Sequence, residues 1–122
     1  MPRATVDLET TEHKDLKTLP DGFVVLRRMS FGQILERRMF TKLEVESGGK
    51  GKDLRGELAM ANRRVTEFEF KACIVEHNLE DVDGRALNLS TLPDFNKLDP
   101  RVGQEIEALI TDMNNFEEDE GN

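Results

Sequence analysis

The sequence predicts an α+β fold that is mainly α-helical, with a short N-terminal β-hairpin followed by about three helices, the middle one long and amphipathic. Between Leu54 and Leu79, apolar residues recur at alternating spacings of four and three, which keeps them on one side of a helix. The pattern Ser-x-x-Gln at residues 30–33 is a capping box and favours a helix start. Asp99 followed by Pro100 predicts another helix start, because aspartate caps free N–H groups and proline suits the first turn.

The first predicted element is a β-hairpin over residues 14–28. Its turn is Pro20-Asp21-Gly22, in which proline fixes φ and glycine accepts a positive φ. Residues 23–26 are aromatic, β-branched or aliphatic, which is typical of a strand. Residues 1–14 are polar and lack a period, so we expect a loose arm before a folded core of residues 15–116.

The first predicted helix runs over residues 31–45. On one side of it the pattern places Phe31, Ile34, Leu35, Met39 and Leu43. Residues 47–52 are rich in glycine and lysine, which predicts an exposed loop after this helix. Asp53 is the predicted cap of the helix that follows.

The second predicted helix covers residues 54–79 and is roughly 39 Å long at ~1.5 Å per residue. Its apolar stripe consists of Leu54, Leu58, Ala61, Val65, Phe68, Ala72, Val75 and Leu79. Such a rod is longer than a small core needs, so we expect part of it to bind a partner protein. The candidate partner-binding residues are Leu54, Leu58, Ala61, Arg63, Arg64 and Val65. The alternative is that the whole stripe packs against the other two helices.

The C-terminal part begins with a predicted turn at residues 80–84, followed by loop or short extended structure to residue 92. The last predicted helix runs from Pro100 to about Asn115. Its apolar side consists of Val102, Ile106, Leu109, Ile110 and Met113. An acidic tail follows at residues 117–122, and the whole of residues 1–122 is predicted to be one domain.

Charge is spread unevenly along the chain, which carries a net charge of −8. Residues 27–64 hold ten Lys/Arg and five Asp/Glu, a net charge of +5. Residues 65–122 hold four Lys/Arg and fifteen Asp/Glu, a net charge of −11. A basic middle and an acidic end favour self-association into oligomers, for which the predicted residues are Glu117, Glu118, Asp119 and Glu120.

Motifs that carry chemistry are weak in this chain. Residues 81–84 resemble a calcium loop, but the glycine and the twelfth-position glutamate of an EF-hand do not fit, so a plain turn is favoured. Residues 48–52 lack the spacing and hydroxyl residue of a phosphate loop. His13 and His77 have no second ligand at metal spacing. We therefore predict no enzyme activity, no metal and no cofactor.

The lone cysteine, Cys73, lies within the stripe region and is predicted to be a buried, inert thiol. No apolar run is long enough to span a membrane, and the first residues do not form a signal segment. These features predict a reducing cytosol as the location. The arginine pairs at residues 27–28, 37–38 and 63–64 lack interleaved aromatic residues, and the chain is acidic, which argues against nucleic-acid binding.

Residues 20–118 resemble the tail assembly chaperones of long-tailed bacteriophages. The resemblance rests on FEFKACIVEHNLED at residues 68–81, Asp83-Gly84, LDPRVGQEI at residues 98–106 and NNF at residues 114–116. The segment VLRRMSFG at residues 25–32 resembles the strand that leads into the first helix of that family. The family is divergent and has no catalytic signature.

The resemblance implies a non-enzymatic factor in the host bacterial cytoplasm that is absent from the mature virion. Such chaperones bind the tape measure protein and help tail tube subunits assemble around it. One alternative function is a structural component of the virion tail or head–tail region. A second alternative, based on the arginine pairs, is a small nucleic-acid-binding regulator.

Overall fold

The structure is a computed structural model that describes the backbone of residues 2–7, 9–48 and 54–114, and side chains in these ranges outside residues 41–61. In chain order the elements are β1 (Glu12–Asp15), β2 (Phe23–Leu26), α1 (Phe31–Gly48), α2 (Leu54–Cys73), β3 (Ile74–His77), α3 (Leu92–Lys97) and α4 (Pro100–Met113). The fold class is α+β with a helical majority, as predicted. Two elements were not predicted, the strand β3 and the short helix α3.

The predicted hairpin is confirmed: β2 coincides with the predicted residues 23–26, and β1 begins at Glu12, two residues before the predicted start. β1 pairs antiparallel with β2, so that Asp15 faces Phe23 and Glu12 faces Leu26. At the turn the predicted residue is wrong: Asp21, not Gly22, has the left-handed φ, at 64°, and the N–H of Gly22 donates to the carbonyl of Leu19 at 2.9 Å. Part of the expected loose arm, residues 12–14, therefore belongs to the sheet.

The prediction of one helix over residues 54–79 is wrong at its C-terminal end. The helix α2 stops at Cys73, and the next four residues form β3, which pairs antiparallel with β2. Arg27 explains the stop: its backbone N–H donates to the carbonyl of Cys73 and its Nε to that of Ala72, both at 2.9 Å. These donors satisfy carbonyls that a continuing helix needs for itself. Val75, predicted to lie in the stripe, is half exposed on the strand.

The buried side of α2 is also rotated relative to the predicted stripe. Glu69, Phe70 and Cys73 are at most 6% exposed, whereas Phe68 in the middle of the stripe is half-buried. α2 contacts both α1 and α4, so more than one side of it is covered and the buried residues do not follow a single stripe. The hydrophobic core consists of Leu16, Val24, Leu26, Met29, Ile34, Phe70, Ala72, Cys73, Leu79, Leu87, Leu89, Val102, Ile106 and Ile110.

The capping box at the start of α1 is confirmed. The backbone N–H of Ser30 donates to Oε1 of Gln33 at 3.0 Å, and the N–H of Gln33 donates to Oγ of Ser30 at 3.3 Å. The helix continues to Gly48, beyond the predicted end at residue 45. Asp53, the predicted cap of α2, lies outside the described residues.

Replacing Ser30 with alanine is expected to lower the free energy of unfolding by about 1 kcal/mol, because the N–H of Gln33 loses its acceptor. Urea denaturation followed by circular dichroism measures the change. Ser30→Asp keeps an oxygen acceptor at the same place and should leave stability close to that of the native chain. Equal losses in the two variants would contradict a capping role.

The predicted start of α4 is confirmed, because the Asp99 carboxylate accepts from the N–H of Arg101 at 2.9 Å. The helix ends at Met113, and the buried side chain of Asn114 joins this end to the start of α1. Asn114 Oδ1 accepts from the N–H of Met29 at 3.0 Å, while its Nδ2 donates to the carbonyl of Ile110 at 2.8 Å. The other half of α4 is tied to the hairpin turn by Glu105, whose carboxylate accepts from the N–H groups of residues 17 and 18 at 2.7 and 2.9 Å.

Candidate partner-binding surface

Three large apolar side chains lie exposed in a row along α1. Phe31 is 71% exposed, Leu35 is 42% exposed and Met39 is 55% exposed. Residues four apart on a helix differ by only about 40° in direction, so these side chains form one strip, which we call the α1 strip. Isolated exposed apolar residues are ordinary on a protein surface, but a continuous strip is typical of a site for a partner.

The predicted apolar side of this helix contains these three residues together with Ile34, and the structure separates Ile34 from them. Ile34 is buried, and Gln33, Arg37 and Phe40 are half-buried on the side that faces α2. The α1 strip lies on the opposite side. Apolar residues at positions 34 and 40 are a sequence signal that α1 has a second apolar side, but the pattern does not decide which of the two sides is buried.

Two contacts fix the orientation of α1 on α2. The rings of Phe40 and Phe68 lie with their centroids 5.5 Å apart, tilted by 55°. One turn earlier on α1, Nη1 of Arg37 lies 3.5 Å from Oε2 of the buried Glu69. Both contacts lie on the inner side of α1, so they hold the α1 strip toward solvent.

The partner-binding residues predicted on α2 receive only partial description. Leu54, Leu58 and Ala61 belong to α2, and their side chains lie outside the described part. Val65 is half-buried and Arg64 is exposed. The Arg63 side chain binds within the molecule: its Nε donates to Oε1 of Glu67 at 3.1 Å and its Nη2 to Oδ1 of Asn96 at 2.6 Å. The assignment of these residues to a partner therefore stays a prediction.

In each predicted arginine pair one member makes a described contact within the molecule, namely Arg27, Arg37 and Arg63. Arg28 and Arg38 are exposed. The predicted self-association residues Glu117, Glu118, Asp119 and Glu120 lie outside the described residues.

A groove of about 490 Å³ lies between α1, α2 and residues 89–95. Its apolar lining consists of Phe40, Phe68, Leu89, Leu92 and Phe95, and its charged lining of Glu36, Arg64, Glu67 and Lys71. Leu92 is 53% exposed at its edge. Because both signs of charge line this groove, it gives less indication of a particular partner than the α1 strip does.

The weak chemical motifs have structural roles in the described part of the chain. Asp81 Oδ1 accepts from the N–H groups of Asp83 and Arg85 at 2.9 and 3.0 Å, and Gly84 has φ of 79°, so residues 81–84 form the predicted turn. His77 Nδ1 accepts from the N–H of Leu79 at 3.0 Å, and burial lowers the pKa of this imidazole, which favours the neutral acceptor.

The thiol of Cys73 is fully buried, and burial, with a smaller effect of the nearby Glu69, raises its pKa to about 11. A thiol with that pKa is protonated at neutral pH and is a poor nucleophile. Among the side chains that the structure describes, those of residues 2–7, 9–40 and 62–114, no cluster of His, Cys, Asp and Glu is suited to hold a metal ion. Nor does this described part contain a helix with the length and apolarity needed to cross a bilayer.

Comparisons with known proteins add no relative for this chain. Protein-family models, curated proteins and solved structures give no match. A functional proposal therefore depends on the α1 strip. Two exposed arginines lie near it: Arg38 on α1 and Arg28 just before α1 begins.

Proposed function

We propose that this protein is a bacteriophage tail assembly chaperone that binds the tape measure protein and helps tail tube subunits assemble around it. The single observation that carries the proposal is the α1 strip, in which Phe31, Leu35 and Met39 are exposed side by side. The resemblance of residues 20–118 to that family supplies the identity of the client. The proposed location is the host cytoplasm, and the mature virion is expected to lack the protein.

The spacing of the α1 strip suits a helical client. Its side chains repeat every four residues, about 6 Å along the axis, and an amphipathic helix presents apolar groups at matching intervals. Tape measure proteins are long and helical, as the resemblance implies. A client helix lying along α1 would exclude water from the outer faces of Phe31 and Met39, which are the most exposed members of the strip.

The expected affinity of one copy is low, which fits a factor that must later be released. Covering the exposed parts of three such side chains is worth roughly 4 kcal/mol before any ordering cost, at about 1.5–3 kcal/mol for a fully buried side chain. That free energy corresponds to a Kd of about 1 mM. Stable coating of a long client therefore requires many copies bound along it, so that avidity adds to the affinity of each copy.

Co-expression with a candidate tape measure protein, followed by a pull-down, tests the proposal. The double variant Leu35→Glu/Met39→Glu should lower capture of the client about tenfold or more, because charged groups would have to be desolvated against it. Val82→Glu is the matched control, since Val82 is fully exposed and belongs to the turn at residues 81–84 rather than to α1, and it should leave capture unchanged. Capture that is equal in all three proteins would contradict the role of the α1 strip.

Two further measurements separate the alternative functions. A structural component of the tail would be present in purified particles, whereas a chaperone would be absent from them. A nucleic-acid-binding regulator would bind DNA with an affinity that falls steeply as salt rises, because phosphate contacts release counterions. Either result would replace the chaperone proposal.

A further inference from the structure

The end of α4 lies beside the start of α1, and this position determines where the following residues begin. Asn114 is buried, and its Oδ1 accepts from the N–H of Met29, two residues before Phe31. The next residues in the sequence are Asn115 and Phe116, followed by four consecutive carboxylates at residues 117–120. From here on, the name acidic tail covers residues 115–122, that is, the acidic residues 117–122 together with Asn115 and Phe116.

The acidic tail has sufficient length to reach the whole α1 strip of its own molecule. Eight extended residues cover up to about 26 Å. The rise along α1 from Phe31 to Met39 is about 12 Å, because a helix advances ~1.5 Å per residue. Because the tail starts at Asn114, beside Met29, the distance that it must cover is longer than this only by the two residues between Met29 and Phe31.

Charge and polarity also match between the two segments. Arg28 and Arg38 are exposed, and neither has an ion-pair partner among the side chains that the structure describes. Helical spacing places Arg38 about 60° from Leu35, and the exposed Glu36 about 100° away on the other side. The strip thus offers apolar side chains beside exposed arginines, and the tail offers one phenylalanine beside four carboxylates.

We infer that the acidic tail binds across the α1 strip of the same molecule, with Phe116 against the apolar side chains and residues 117–120 beside Arg28 and Arg38. The charge pattern alone favours contact of residues 117–120 with a second copy, but the anchoring of Asn114 beside Met29 places α1 of the same molecule within reach. The α1 helix of a second copy would bind the α1 strip less well than the tail, because its own Arg28 and Arg38 would repel those of the first copy.

The bound tail occupies the surface assigned above to the client, so the two compete. This consequence rests on the proposed function, whereas the binding of the tail to α1 does not. A client helix must displace the tail, and the chaperone is then protected from non-specific apolar contacts until a client arrives. Neutralising the tail is expected to increase capture of the client.

Paramagnetic relaxation measured by NMR tests tail binding without any client. A spin label on Asn122→Cys is specific, because the native thiol of Cys73 is fully buried and its pKa is raised to about 11. The methyl signals of Leu35 and Met39 should lose most of their intensity. The methyl signals of Val82, which is exposed far from α1 in the sequence, should keep theirs.

Two conditions check the physical basis of the contact. Intensity should return at 1 M salt, where the Debye length falls to about 3 Å. It should also return in the labelled variant Glu117→Gln/Glu118→Gln/Asp119→Asn/Glu120→Gln, whose folded core is unchanged in sequence.

Three results would overturn the inference. The first is that the methyl signals of Leu35 and Met39 keep their full intensity when the native tail carries the label. The second is that the Val82 methyl signals lose as much intensity as those of Leu35 and Met39, which would mean that the tail has no preferred site. The third is that the loss of signal intensity disappears on dilution, which would assign the contact to a second copy. None of these results depends on whether a tape measure protein is the client.

Discussion

Replacing Phe70 with alanine is expected to lower the free energy of unfolding by about 3–5 kcal/mol. The side chain is 2% exposed, and its ring meets that of Phe95 edge to face with centroids 5.3 Å apart. Removing the ring forfeits its transfer free energy and leaves a cavity between α2, α3 and α4. For a domain of this size, a loss of that magnitude removes a large part of the total stability.

Phe31→Ala is the matched control, because it removes the same ring from a position that is 71% exposed. It should change the free energy of unfolding by about 0.5 kcal/mol or less, as is usual for surface substitutions. Urea denaturation with circular dichroism at one temperature measures both variants. Losses of about 3–5 kcal/mol in both proteins would mean that Phe31 belongs to the folded core and would contradict its position on the outer side of α1.

Local signals in the sequence predicted local structure well. The turn at Asp21, the capping box at Ser30 and the cap at Asp99 each depend on groups within four residues of one another. The chemistry that favours these structures is therefore fully present in a short stretch of sequence. All three appear at the predicted positions.

The end of α2 could not be predicted in this way, because its cause is distant in the sequence. The last carbonyl groups of the helix, those of Ala72 and Cys73, accept hydrogen bonds from Arg27, which lies 45 residues from Ala72 in the sequence. Without knowledge of β2, the spacing of Val75 and Leu79 fits a continuing helix just as well. Tertiary pairing with a strand overrides the helical pattern at this point.

In the candidate surface, too, the sequence predicts the local feature, and distant contacts decide the rest. The sequence identified α1 and its apolar residues, but which of them face α2 depends on the contacts of Arg37 and Phe40. Periodicity gives the relative directions of side chains on one helix, and the neighbouring element decides which direction is buried. Exposure of Phe31 and Met39 was therefore not predictable from the pattern alone.

The ion pair between Arg37 of α1 and the buried Glu69 of α2 predicts the second large change in the free energy of unfolding. Glu69 is 6% exposed and lies 3.5 Å from Nη1 of Arg37, while its Oε2 accepts no hydrogen bond in the described structure. Burial raises the pKa of the Glu69 carboxyl above its usual 4.5, and Arg37 opposes this rise. The Glu69 carboxylate therefore depends on Arg37, the cation described beside it, to offset the free-energy cost of its burial.

Arg37→Met is expected to lower the free energy of unfolding at pH 7 by about 3 kcal/mol, the lower end of the range for a broken buried pair, because Arg37 is partly exposed. The loss should shrink as pH falls toward 4. A carboxyl whose pKa is raised by folding stabilises the protein below its unfolded pKa of 4.5, and this contribution is lost as pH rises through the folded value. Without Arg37 the folded pKa rises further, so more stability is lost at neutral pH.

The double variant Arg37→Met/Glu69→Met is the control, because it replaces both charges with apolar groups and should recover most of the stability at pH 7. Glu105 and Asp99, whose pKa values are lowered by hydrogen bonds, respond to acid in the opposite sense. They are common to all three proteins, so differences between variants at each pH cancel their effect. Urea denaturation at pH 4 and pH 7 measures these differences. A loss for Arg37→Met that is the same at both pH values would mean that the side chain acts by packing alone and that Glu69 is not held as a buried carboxylate.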